Sequence, residues 1–195
     1  MKSKVAINNE RGSSLIEMLA TLIVLGIISA TAIPNFSAWR TNYEIRTESE
    51  NVRMQLLLAR MTAIKNNNNV VVTFISGAGQ HRITILNDTN SDGIANGGEI
   101  ENNYDLDKNM RFGFYGPSIP DMDNTVRTQA VVMGASDKVI LDGRGQSNLS
   151  GVLFLIHADD LNANNNRLRG INILQATGAA ELWKYNSSLT PVPWE

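Results

Sequence analysis

Cysteine is missing from the 195 residues, which removes disulfide frameworks, thiolate metal centres and cysteine nucleophiles together. Histidine occurs twice, as His81 and His157, and neither has a ligand or nucleophile beside it at catalytic spacing. Both read as ordinary strand or loop residues. There is no G-x-S-x-G, H-E-x-x-H or Walker pattern, so nothing in the sequence argues for an enzyme. An excess of basic charge is missing too, since 17 Lys and Arg stand against 19 Asp and Glu. That balance advertises neither a nucleic acid nor an anionic membrane surface as partner. Aromatic residues make up 6% of the chain, while asparagine and glycine are abundant, the composition of a domain rich in turns. Long apolar runs are missing except for one.

That run covers 13–33, and its single charged residue is Glu17. At about 1.5 Å per residue it reaches roughly 30 Å as a helix, the thickness of a bilayer's hydrocarbon core. The leader before it, MKSKVAINNERG, sets Lys2, Lys4 and Arg11 against Glu10. By the positive-inside tendency this keeps the N-terminus cytoplasmic and sends the remainder across. A secretory signal peptide has a shorter apolar core followed by a small-residue cleavage site. Here the small residue, Gly12, comes before the apolar run.

This order, Arg11-Gly12 and then Ser-Ser-Leu-Ile-Glu-Met, resembles the class III leader of type IV prepilins and type II secretion pseudopilins. The resemblance implies cutting by prepilin peptidase between Gly12 and Ser13, and methylation of the new N-terminus at Ser13. It implies that Glu17, at the fifth mature position, sets register by pairing with the α-amino group of Ser13 when subunits pack helix against helix. It also implies that Pro34 kinks the helix. The first mature residue, usually Phe in that family, is Ser13 here.

Past Pro34 the sequence turns amphipathic, with Ile45, Val52, Leu56 and Leu57, then Met61 and Ile64, at helical spacings. One helix is expected from about 14 to 65, bent near Pro34 because proline removes a backbone donor and clashes with the preceding turn. The asparagines at 66–69 end it. Beyond them come β-rich runs at 70–75, 82–86, 100–106, 110–115, 128–133, 138–141, 152–157, 171–174 and 181–185, parted by turn signals such as Asp92-Gly93, Gly116-Pro117 and Thr177-Gly178.

The expected fold class is α+β, a long N-terminal transmembrane pilin helix packed against a mostly antiparallel β-domain. Its divisions are a leader at 1–12, a transmembrane and filament-core half-helix at 13–34, an amphipathic half at 35–65, a β-rich periplasmic domain at 66–186 and an irregular tail at 187–195. This arrangement resembles in particular the minor pilins and pseudopilins of the GspH/FimT type. The stretch Val139-Ile140-Leu141-Asp142-Gly143-Arg144-Gly145, followed by Gly151-Val152-Leu153-Phe154-Leu155, is similar to that family's strand, glycine turn and strand. Gly178 and the last strand are similar to its C-terminal hairpin.

One further motif stands out. The segment DTNSDGIANGGE at 88–99 fits the calcium-loop pattern D-x-[DN]-x-[DN]-G-x5-E through Asp88, Asn90, Asp92, Gly93 and Glu99. Alternate oxygen-bearing side chains would converge on one cation, the carbonyl of Ile94 would add a ligand, and the glycine permits the sharp turn. Its flanks are strands rather than the helices of an EF-hand, and the same residues suit a hairpin loop. Calcium and a purely structural loop both stay open, and no other cofactor is implied. Gly143-Arg144-Gly145 reads as a turn, and Asp121, Asp123, Asp159 and Asp160 as solvated loop acids. Arg167, Arg169 and Lys184 near the C-terminal hairpin are too few to displace many counterions from phosphates, so nucleic acid is not an expected partner.

The expected function is structural. The chain reads as a minor pilin held in the inner membrane, N-terminus cytoplasmic and C-terminal domain periplasmic, then assembled into or at the tip of a type IV pilus. Its expected partners are other pilins or pseudopilins, prepilin peptidase, the inner-membrane assembly platform, and lipid before assembly. A minor pseudopilin of a type II secretion system shares these features. A DNA-uptake pilin and a membrane-tethered periplasmic enzyme are the readings from other classes.

Overall fold

The structure, a computed structural model, describes residues 14–77 and 81–195, with the backbone alone for 31–35. Gly12 and Ser13 lie outside the described residues, as does the side chain of Pro34, through whose position the helix continues.

Helix α1 (Leu15–Asn66) opens as Glu17 and Met18 donate their N–H groups to the Ser14 carbonyl, at 2.9 and 3.2 Å. Glu17 falls in the first turn, where a carboxylate meets the positive end of the helix dipole. The end of α1 matches the asparagine signal. Asn67 takes a left-handed φ of 51°, and the N–H groups of Asn67 and Asn68 bond back to Ile64 and Ala63 at 3.3 Å, which closes the last turn. Two compact units divide the chain, the first ending at Arg40 and the second running Thr41–Glu195.

In the first unit the side chains at 15–30 are exposed, Leu15 at 77%, and apart from Glu17, Thr21 and Ser29 they are apolar around the helix. Among the described residues no helix is long and apolar enough to cross a membrane. The described apolar side chains reach roughly 24 Å at about 1.5 Å per residue. The span expected at 13–33 takes in positions outside them at both ends.

In the second unit one stripe of α1 is buried, formed by Ile45, Val52, Leu56, Ala59 and Ala63, with Thr41, Glu48 and Ser49 beside it. Their steps of three, four and seven keep them on one face of a 3.6-residue period. The sequence stripe holds for Ile45, Val52 and Leu56 and is corrected beyond them. Leu57, Met61 and Ile64 are exposed, Met61 at 58%, and two alanines take the buried positions. Small side chains give a weak hydropathic signal, yet they let the sheets approach the helix closely.

The strands are β1 (Asn69–Ser76), β2 (His81–Asp88), β3 (Ile100–Asp105), β4 (Met110–Phe112), β5 (Ile119–Pro120), β6 (Val126–Arg127), β7 (Val131–Val132), β8 (Lys138–Leu141), β9 (Gly151–His157), β10 (Arg169–Ile173) and β11 (Ala180–Lys184). One sheet has the order β3-β2-β1-β8 and another β11-β10-β9-β4, with β7 also on β9, while β5 and β6 form a separate pair. Every pairing is antiparallel. The main core brings the α1 stripe together with Val70, Val72 and Phe74 of β1, Ile83 of β2, Leu153 and Leu155 of β9 and Ile171 of β10. A second core on the other face of the larger sheet gathers Ile119, Val152, Phe154, Ile156, Leu168 and Trp194.

The tail at 187–195 holds no helix or strand, and its end packs into that second core. Trp194 is buried, stacks on Phe154 with centroids 5.7 Å apart, and donates its Nε1–H to the Pro120 carbonyl at 2.9 Å. Lys184 and Glu195 exchange backbone bonds of 2.7 and 2.9 Å. A tryptophan nine residues past the nearest strand-like run gains more by covering an apolar sheet face than by staying in water.

Candidate functional site

The exposed apolar helix at 15–30 carries Glu17, which is itself exposed. Its expected partner, the α-amino group of Ser13, lies outside the described residues. Farther along α1 a second apolar surface is left open, where Leu58, Met61, Thr62, Ile64 and Lys65 line a depression of about 430 Å³.

The face of α1 turned to the sheets is fastened by polar contacts. Glu48, buried, accepts hydrogen bonds from the Tyr104 hydroxyl at 3.0 Å and the Asp107 N–H at 3.2 Å. Burial, and then the Glu48 charge, push the Tyr104 phenol up to about 12. Arg53 donates its Nε–H to the Ala180 carbonyl at 3.2 Å, and Arg60 donates to the Gly145 carbonyl at 3.0 Å. Gly145 has a φ of +79°, and a Cβ there would stand 2.6 Å from Ile64 Cδ1. The Gly143-Arg144-Gly145 turn is therefore a docking turn for the end of α1, and no phosphate cradle.

Both histidines are more embedded than their sequence context suggests. His157 is buried, its Nδ1 accepts the Asp159 N–H at 3.2 Å, and its Nε2 lies 3.3 Å from Glu44 Oε2. Accepting at Nδ1 leaves the proton of the neutral ring on Nε2, facing Glu44. His81 accepts the Phe112 N–H at Nδ1, at 3.3 Å. Burial, and then the charge of Arg111, hold it below the ordinary histidine range.

Two of the expected solvated acids are corrected. Asp121 is buried, accepts N–H bonds from Asp123 and Thr125 at 3.0 and 2.8 Å, and pairs with Arg127 at 2.6 Å. Asp160 is buried in a two-pronged pair with Arg167. Asp123 and Asp159 are exposed, as expected. The pairing of Arg167 with Asp160, and of Lys184 with Glu195, takes charge away from the basic group considered for nucleic acid.

The acidic loop joins β2 to β3. One carboxylate oxygen from each of Asp88, Asp92 and Glu99 lies within 4.8 Å of the others. Crowded like charges repel, and the loop meets them with its own donors. Asp88 accepts from the N–H groups of Asp92 at 3.2 Å and Gly93 at 2.8 Å. Asp92 accepts from the Ile94 N–H at 2.8 Å and from the Asn90 and Asn96 amides at 3.0 and 2.6 Å. Glu99 accepts from the N–H groups of Thr89 at 2.8 Å and Asn96 at 3.0 Å. The Ile94 N–H holds Asp92, and the Asn96 N–H holds Glu99, below the usual carboxylate range. The three carboxylates among the five expected ligands are thus gathered, and Asn90 both donates to Asp92 through its amide and accepts the Asp92 N–H at 3.0 Å.

Residues 7–33 match the family model described as the prokaryotic N-terminal methylation motif. A comparison with curated proteins finds no match. The chain is similar to the solved structure of the minor pseudopilin EpsH from the Type 2 Secretion System of Vibrio cholerae, at 15% identity and a TM-score of 0.47, over 71% of this chain and 95% of that one. By its first segment, then, the chain carries the prokaryotic N-terminal methylation motif, the type IV pilin signal, at the head of α1.

Proposed function

We propose that this chain is a minor pilin-like subunit, cut between Gly12 and Ser13, methylated at Ser13, held in the inner membrane with its β-domain outside the cytoplasm, and then built into or at the tip of a type IV pilus. Its work is packing, with no reaction catalysed. The observation that carries this reading is the methylation motif at 7–33 heading a helix whose side chains at 15–30 are exposed and, apart from Glu17, Thr21 and Ser29, apolar. Such a surface needs lipid or other helices of its kind. Prepilin peptidase, an assembly platform and neighbouring pilins are the partners this implies. Mass spectrometry of the mature N-terminus tests it. A chain beginning at Ser13, free or methylated, is the expected result, and an intact Met1 overturns the reading. Glu17→Gln should leave the chain in the membrane fraction and lower its incorporation into filaments. A minor pseudopilin of a type II secretion system shares the same motif, and loss of secreted enzymes rather than of pili in a deletion strain would select it.

A second reading concerns the acidic loop, and the convergence of Asp88, Asp92 and Glu99 within 4.8 Å favours it. Three carboxylates at that spacing suit a hard divalent cation such as calcium, which takes oxygen ligands. Calorimetric titration with calcium should give heat that Glu99→Gln removes. No heat at millimolar ion would leave the loop a structural one.

A further inference from the structure

At one end of the helix–sheet seam, Arg46 and Glu50 of α1, Arg169 of β10, Leu182, Trp183 and Lys184 of β11, and Glu195 enclose a notch of about 280 Å³. The register sets Arg169 between Leu155 and Lys184, two residues from the core row of Leu153, Ile171 and Leu182. An arginine therefore occupies the place where that apolar row would continue. Its Nη1 donates to the carbonyls of Arg167 and Leu168, at 3.3 and 3.2 Å. The acids around it are engaged elsewhere. Glu50 pairs with Arg53 at 3.3 Å, and Glu195 is held by Lys184 and by Asn186 at 3.2 Å. Among the described residues neither Arg46 nor Arg169 has a carboxylate at ion-pairing distance. Burial, and then the charge of Arg46, depress the ionisation of Arg169. Two guanidinium groups thus share one recess with no carboxylate in direct contact with either, although the charge of Glu195 in the same lining partly offsets that of Arg46 at Arg169.

We propose that the notch receives one carboxylate side chain from a neighbouring pilin-like subunit, gripped by Arg46 and Arg169. The inference rests on the assembly reading above. A planar carboxylate matches the guanidinium fork, and Leu182 supplies apolar surface for its methylenes. The recess, of about 280 Å³, has room for one side chain. Glu50 and Glu195 line the same recess, and their charge weighs more against a polyanion, which presents many phosphates, than against a single carboxylate.

The test uses the full-length chain in detergent micelles, with the arginine Nε–H resonances followed by NMR during titration with amide-capped glutamate. Saturable millimolar shifts are expected at Arg46 and Arg169. In Arg46→Gln the affinity should fall about tenfold, and Arg46→Lys, which keeps the charge without the fork, should fall between. In cells, Arg46→Gln should be made and processed normally but enter filaments less. No saturable shift at either arginine overturns the proposal, as does duplex DNA shifting both at micromolar concentration. A chain cut at Ser13 whose arginines do not respond fails the notch alone, whereas an uncut chain overturns the assembly reading whatever the arginines do.

Discussion

A carboxylate set inside an apolar seam costs several kcal/mol unless donors meet it, and Glu48 meets two, the Tyr104 hydroxyl and the Asp107 N–H. Tyr104→Phe leaves it with one. The substitution should lower stability by about 1.5–3 kcal/mol, the range for a hydrogen bond to a charged group, read as an earlier urea midpoint at unchanged slope. At this scale the sequence is uneven. The methylation motif at 7–33 was legible because its meaning lies in short local spacing. Glu48 and His157 were not, because each meets its partner across the fold, Glu48 at Tyr104 and His157 at Glu44. Asp160 and Arg167 are close in sequence, yet their pairing reads as two solvated charges until burial is known.

Among the elements, α1 and the acidic loop carry the sharpest expectations. Leu56 faces the core and Met61 faces outward. Leu56→Ala should therefore cost about 2–5 kcal/mol, and Met61→Ser less than about 0.5 kcal/mol in the isolated chain. Equal losses in thermal melts would mean that the helix is turned differently on the sheets. In the loop the fold lowers the carboxyls of Asp92 and Glu99. Their contribution is complete above the ordinary carboxylate range near 4 and is lost as pH falls through the depressed folded values. Carboxyl NMR should show both titrating below that range, with amide exchange at 88–99 rising as they protonate. Nine of the strands were legible from period and turns, since glycine and aspartate mark their ends, whereas the two-residue β5 and β6 are too short to show a period. The buried stripe of α1 was half legible, because leucine and methionine advertise a core more loudly than alanine does, whatever face they occupy.

For the whole molecule, the last residues matter more than their irregular sequence suggests. Trp194 closes the second core over Phe154, so Trp194→Ala should cost about 3–5 kcal/mol and lower the melting temperature of the β-domain. A melting point unchanged by this substitution would return 187–195 to the status of a loose tail. The overall plan, one long helix and then antiparallel sheets, could be read from the change of period after Asn66. The tail could not, because proline and serine point to a turn while the tryptophan's partners are set only by the folded sheet. One consequence of the seam concerns force. The stretch of α1 within Thr41–Glu195 is joined to its sheets side by side, by an apolar stripe and by the arginine bonds to the Ala180 and Gly145 carbonyls. A pull along the helix axis loads these contacts together, in shear, instead of opening them one after another like a zipper. A subunit built this way would resist tension along a fibre more strongly than one whose contacts open in turn.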